Sequence, residues 1–198
     1  MKIIGVACSP RKGKTTKYVL DYCMKTIMEK FPKIETEIID LAEMKVGGCI
    51  ACGHCAKTLE CSQKDDFNKL IPILSNPEPV GMIVATPVYL STMTTQCKAF
   101  LDRCVMFRRN GFLFKNVVGG AIALGGFRNG GQGSVIQQVH ASMLAQDMVV
   151  VSDGAPTAHF GGTVWSGHPD GVEGDEFGLQ TVRNLGCRVA ELALRLAS

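Results

Sequence analysis

The chain has 198 residues, 46% of them hydrophobic, and its 21 basic and 18 acidic side chains leave a net charge of +3. That length fits one domain over residues 1–198 with a full core, and so small and dispersed a charge excludes the basic face of a nucleic-acid binder. No apolar run reaches the roughly 18 residues of a spanning helix, and MKIIGVACSP is too short before Arg11 and Lys12 for a signal-peptide core, so no membrane attachment and a cytoplasmic location are expected.

Apolar runs alternate with longer amphipathic stretches. KIIGVAC (2–8) reads as a first strand and 15–31 as a helix, and the segment between them, CSPRKGKTTK, combines hydroxyls, a glycine and four cations. A helix N-terminus offers unpaired N–H groups and partial positive charge, so this turn predicts a phosphate site. It is not a Walker A loop, because Cys8 stands where the first glycine belongs. It is not a cysteine-phosphatase loop either, because Lys14 replaces the arginine that would clamp the phosphate. The dinucleotide fingerprint GxGxxG is also missing.

IETEIIDL (34–41) alternates in the manner of an edge strand. The next segment, a loop over 47–64, carries CIACGHCAKTLEC, in which Cys49, Cys52, Cys55 and Cys61 fall within thirteen residues. Thiols three residues apart on a turning backbone converge on one centre. Bacterial ferredoxins hold four-iron clusters with a similar run, although here the last gap is longer and Ser62 replaces the usual proline. Zinc modules usually split their cysteines into two distant pairs, and no second pair exists. A 4Fe-4S cluster, a zinc ion and four free thiols all stay open on the residues alone, with His54 pointing to solvent.

Asp65 and Asp66 can cap a short helix, which Pro72 should kink or end early. VGMIVATP (80–87), VVGGAIAL (117–124) and MVVVS (148–152) are further strands, with helices over 94–107 and 134–144 between them. A last helix over 176–196 turns Leu185, Val189, Leu192 and Leu196 to one face. Five strands with intervening helices predict a parallel sheet with right-handed crossovers. The glycine-rich segment 153–175 reads as a long loop without a regular element, able to cover a planar ligand, pack on a partner subunit or lie on the surface, with His159, Phe160, Trp165 and His168 in it. The other five cysteines, Cys8, Cys23, Cys97, Cys104 and Cys187, read as small buried hydrophobes.

SPRKGKTT, TPVYLSTMTTQCKAFLDR and GGFRNGGQ resemble the three FMN-contacting loops of the flavodoxin-fold NADPH-dependent FMN reductase superfamily. With CIACGHCAKTLEC added, the chain resembles the iron-sulfur flavoprotein family over essentially its whole length. The resemblance implies an α/β, flavodoxin-like, doubly wound five-stranded parallel sheet of order 2-1-3-4-5 with helices on both faces. It places the FMN phosphate on Ser9, Arg11, Gly13, Thr15 and Thr16, and the flavin ring between Pro87, Val88, Tyr89 and Met93 on one side and Gly125, Gly126, Phe127, Gly131 and Gln132 on the other. It assigns Cys49, Cys52, Cys55 and Cys61 to a 4Fe-4S cluster. The flavin carries the redox chemistry, so no catalytic side chain is expected.

The implied activity is that of an FMN-dependent oxidoreductase that relays electrons between cluster and flavin. A ferredoxin-like protein or NAD(P)H would be the donor, a small molecule the acceptor, and a homodimer or homotetramer the assembly. A cluster-free NAD(P)H-dependent FMN or quinone reductase and a non-enzymatic flavodoxin-type carrier are the competing readings.

Overall fold

The structure is a computed structural model and describes residues 1–197. In chain order its elements are β1 (Lys2–Ala7), α1 (Thr15–Lys30), β2 (Glu35–Asp40), α2 (Phe67–Ser75), β3 (Gly81–Pro87), α3 (Thr95–Arg103), α4 (Val105–Arg109), β4 (Val118–Gly125), α5 (Gln132–Leu144), β5 (Val149–Val150), β6 (Gly162–Trp165) and α6 (Glu176–Leu196). The continuous apolar runs become the interior strands: β1 and β4 are buried throughout, and β3 is buried up to Pro87. The alternating β2 lies at the edge with only Ile39 fully buried. All pairings are parallel and the order is β2-β1-β3-β4-β5, as expected.

The pleat divides the core in two. Ile4, Val6, Met82, Val84, Ala121 and Ala123 meet α2, α3, α4 and α5 on one face. Ile3, Ala7, Ile83, Ala85, Ile122 and Leu124 meet α1 and α6 on the other. Successive strand residues point to opposite faces, so one sequence run supplies both cores.

The structure corrects the sequence reading in several places. A sixth strand, β6, lies inside the segment expected to be irregular, and it pairs with β4 from Ile122 to Gly125. Its glycines are there for proximity: a Cβ on Gly161 would stand 2.4 Å from Ala121 O, and one on Gly162 2.9 Å from Ile122 Cγ1. β5 is correspondingly short, pairing only with Val118 and Gly119, so the fifth position of the sheet is shared by two strands from separate stretches.

Pro72 does not end α2, which runs on to Ser75 because Phe67, Leu70 and Leu74 bury one face of it. Asp65 accepts from Phe67 N at 3.2 Å just ahead of it, whereas Asp66, at the N-cap, makes no capping bond and instead accepts from Lys45 N and pairs with Lys69. The helix expected over 94–107 breaks at Cys104, where the bonding tightens from Phe100 O–Cys104 N to Cys104 O–Phe107 N. Leu196 is exposed, and the buried face of α6 is Val182, Leu185, Gly186, Val189, Ala190 and Ala193. Of the five cysteines read as core, four are buried and Cys187 is half-buried. Among the described residues, no helix is long and apolar enough to cross a membrane.

Candidate functional site

β1, β3 and β4 end at Ala7, Pro87 and Gly125, and the turns that follow them share one rim of the sheet at the point where strand order reverses. Open α/β sheets place ligands there. The first turn, residues 8–14, ends on Gly13 at φ +60°, a left-handed conformation that favours glycine. α1 then begins without a side-chain cap and without an acidic residue in its first turn. Ser9 is buried and its hydroxyl accepts from Arg11 N at 3.1 Å. Thr16 is buried and Thr15 half-buried. Of the four cations, Lys12 is spent on Glu43 and Lys17 on Asp21, while Arg11 and Lys14 carry no ion pair among the described residues. An uncapped helix start with two uncommitted cations beside it suits an anion.

The second turn is a two-residue reversal. Tyr89 and Thr92 exchange backbone bonds at 2.9 and 3.0 Å, with Leu90 and Ser91 both at positive φ. Val88 N donates to Leu124 O, which ties the turn to β4. Pro87 and Val88 are half-buried and Tyr89 is 47% exposed, but Met93 turns into the core. Sequence reasoning missed Thr94. Its buried hydroxyl donates to Cys8 O at 2.7 Å and accepts from Cys97 N at 3.1 Å, so one side chain caps α3 and fastens it to the first turn. The signal was a Thr-Thr pair ahead of an amphipathic run.

In the third turn, Gly125 and Gly126 give up their carbonyls to the segment after β6. Ser166 N and Oγ donate to Gly125 O at 2.9 and 3.0 Å, and Trp165 Nε1 donates to Gly126 O at 3.0 Å. Phe127 is 77% exposed. Gly131, at φ +92°, leaves Ser91 and Val88 about a van der Waals contact from where a Cβ would be, so the second and third turns touch. Gln132 is buried, and its amide nitrogen is committed to Phe127 O at 2.7 Å and Val164 O at 3.3 Å. It braces the turn from beneath.

Beside this rim lies a cleft of about 750 Å³ that shares only Gly131 and Gln132 with the residues expected to hold a flavin. Its walls include Phe160, Phe177, Trp165, His159 and Arg128. Arg128 packs 5.3 Å from the Trp165 ring and pairs with the buried Asp175 at 3.1 Å. Asp175 also accepts from Trp165 N at 2.7 Å, so the α6 cap doubles as the anchor of β6.

The cysteine loop follows β2 and leans on α3 and α4. Its base is closed by Lys45 N and Gly47 N donating to Asp66 and Asp65, and by Gln63 Nε2 donating to Gly48 O. Cys49, Cys52, Cys55 and Cys61 line one narrow cavity together with Arg103, Val105, Met106 and Arg109. Among the described residues, no three His, Cys, Asp or Glu groups stand close enough to share a single metal ion.

Arg103 carries a buried guanidinium Nε with no hydrogen-bond partner. Burial works against its charge, but the Asp65 carboxylate and the Cys61 sulfur outweigh it and hold its pKa above the usual value. The Cys52 thiol is held below its ordinary pKa, chiefly by the Ser62 hydroxyl at 3.1 Å and then by the His54 backbone. Those donors favour a thiolate at Cys52. Cys8, by contrast, is wholly buried, and desolvation pushes its thiol well above the usual range, which leaves it inert.

Comparison with known proteins places these sites in context. Residues 1–163 match the family described as NADPH-dependent FMN reductase. An iron-sulfur flavoprotein of Methanocaldococcus jannaschii is 40% identical, over 97% of this chain and 97% of its own. One from Methanosarcina thermophila is 37% identical, over 97% and 96%. Among solved structures, a flavodoxin, WrbA-like protein from Agrobacterium tumefaciens aligns with a TM-score of 0.65 at 15% identity, covering 98% of each chain.

Proposed function

The chain belongs to the NADPH-dependent FMN reductase family, in its iron-sulfur flavoprotein group, and is an FMN-dependent oxidoreductase; on that premise we propose that it relays electrons between a 4Fe-4S cluster and FMN. When bound, the cluster supplies one-electron transfer and FMN supplies both one- and two-electron chemistry. The observation that carries the reading is the convergence of Cys49, Cys52, Cys55 and Cys61 on one cavity edged by arginines, in a chain whose rim also offers a cationic helix start.

The residues have distinct tasks. Ser9, Arg11, Gly13, Thr15 and Thr16 receive the FMN phosphate: Arg11 supplies charge, Gly13 bends the chain so that the first N–H groups of α1 face the anion, and the hydroxyls donate. Pro87, Val88 and Tyr89 form one wall for the ring, and Gly125, Gly126, Phe127 and Gly131 the other. Met93 and Gln132 hold those walls from the core side. No side chain is required as acid, base or nucleophile.

The cleft of Phe160, Phe177, Trp165 and Arg128 is our site for the small acceptor, because it opens from Gly131 and is lined by rings suited to a planar molecule. A ferredoxin-like protein or NAD(P)H is the donor. Leu90, fully exposed, and Phe127, 77% exposed, project beside the flavin rim, which supports a homodimer or homotetramer that covers them. The cellular setting we propose is the cytoplasm.

Protein purified without oxygen should show the superposed absorbance of flavin and cluster, with iron and sulfide in comparable amounts. Fewer than about two irons per chain would reject the cluster in favour of a cluster-free reductase. Cys52→Ser should lose the brown absorbance and keep the yellow. A colourless chain that ignores added FMN in calorimetry overturns the reading altogether.

A further inference from the structure

Two arginines edge the cysteine cavity, and they are placed differently. Arg103 is 3% exposed and its guanidinium is committed: Nη1 and Nη2 donate to the two oxygens of Asp65 at 2.8 and 2.9 Å, and Nη1 also donates to Gly47 O at 3.0 Å. The Asp65 carboxylate cancels most of its field. These bonds link α3 to the loop on both sides of the cysteines, beside the Cys61 sulfur.

Arg109 has no carboxylate partner among the described residues, and its Nη1 donates to Cys55 Sγ at 3.7 Å. The neighbouring Asn110 Nδ2 donates to Cys55 O at 2.7 Å and to Met106 O at 2.8 Å, fixing the Cys55 backbone against α4. Of the two guanidiniums at this cavity, Arg109 is the one without a carboxylate partner among the described residues, so its charge is not offset before it reaches the thiolates.

We propose that Arg109 sets the reduction potential of the cluster by donating to the Cys55 sulfur, while Arg103 is a positioning residue that holds the loop in place. The inference rests on the cluster reading above. Reduction adds one electron to the cluster and no proton, so a fixed cation and an N–H donor at a ligand sulfur stabilise the reduced state more than the oxidised one and raise the potential.

The test is an anaerobic spectroelectrochemical titration of the full chain, with iron and sulfide assayed on the same samples. Arg109→Gln should keep the parent iron content and the flavin midpoint while moving the cluster midpoint to a more negative value. Arg109→Lys should recover most of that shift. Raising the ionic strength should narrow the gap between parent and Arg109→Gln, because Arg109 is exposed and its charge is screened. An unmoved midpoint in iron-replete Arg109→Gln overturns the assignment. Loss of iron from that variant also overturns it and makes Arg109 a second tether. A parent chain without iron sinks the cluster reading itself, a failure recognised before any variant is titrated.

Discussion

The strand-end rim proposed for the flavin and the cysteine loop are built by different means. The rim is made of strand ends, and its turns are fixed by main-chain bonds such as Val88 N–Leu124 O and Ser166 N–Gly125 O, reinforced by the side chains of Thr94, Gln132 and Trp165. The loop has no strand and only a single 3-10 turn at His54–Ala56, and the helices beside it hold it through the side chains of Arg103 and Asn110. A site anchored in the sheet shares the stability of the core. One hung from side chains depends on each attachment.

Arg103→Met strains that contrast hardest. It leaves Asp65 unpaired and frees both ends of the loop, with an expected cost of about 3 kcal/mol in urea unfolding, the low end for a broken buried pair because Asp65 is 17% exposed. Iron should be lost and FMN retained. The double variant Arg103→Met/Asp65→Leu should regain part of the stability and none of the iron, since no lone charge remains buried. If FMN leaves with the iron, the two regions are one unit.

Arg11→Ala probes the other side and should weaken FMN roughly ten-fold or more by fluorescence titration, the loss expected for one charged contact to phosphate, with iron unchanged. Trp165→Phe removes the donor to Gly126 O at little change in shape. It should cost roughly 1 kcal/mol and loosen the third turn, seen as faster proteolysis near Phe127.

A further effect lies outside both regions. His140, on α5, has a buried Nε2 without a partner, and desolvation lowers its pKa from 6.5 to about 4. The unfolded chain binds a proton between those two values that the folded chain refuses, so stability falls as pH drops from 6.5 towards 4 and levels off below. His140→Gln should flatten that part of the thermal-unfolding profile. An equally steep profile in the variant would assign the slope to other groups.

Much of the sheet was legible because β1, β3 and β4 are unbroken apolar runs and β2 alternates. The positions of Gly13 and the four cysteines were legible because they lie close together in sequence. What was not legible depends on distant partners. Glycines 161 and 162 look like loop residues until Ala121 O and Ile122 are seen against them. Met93 and Gln132 fit a ring-lining pattern, but space beneath the turns draws both inward. Arg103 and Arg109 lie some fifty residues from the cysteines, and no local pattern distinguishes them from the charges of an ordinary amphipathic helix.

The chain leaves the sheet after Val150 and returns at Gly162, and the returning strand is secured from α6 by Thr181 Oγ1, which accepts from Thr163 N at 2.9 Å, and by Asp175. In the intervening stretch Gly161 is fixed by the approach of Ala121 O and Asp153 by its bonds from Thr157 and His159 N, so exchange is open only around these fixed points, and with it, on the proposed acceptor site, the preference for one oxidant over another.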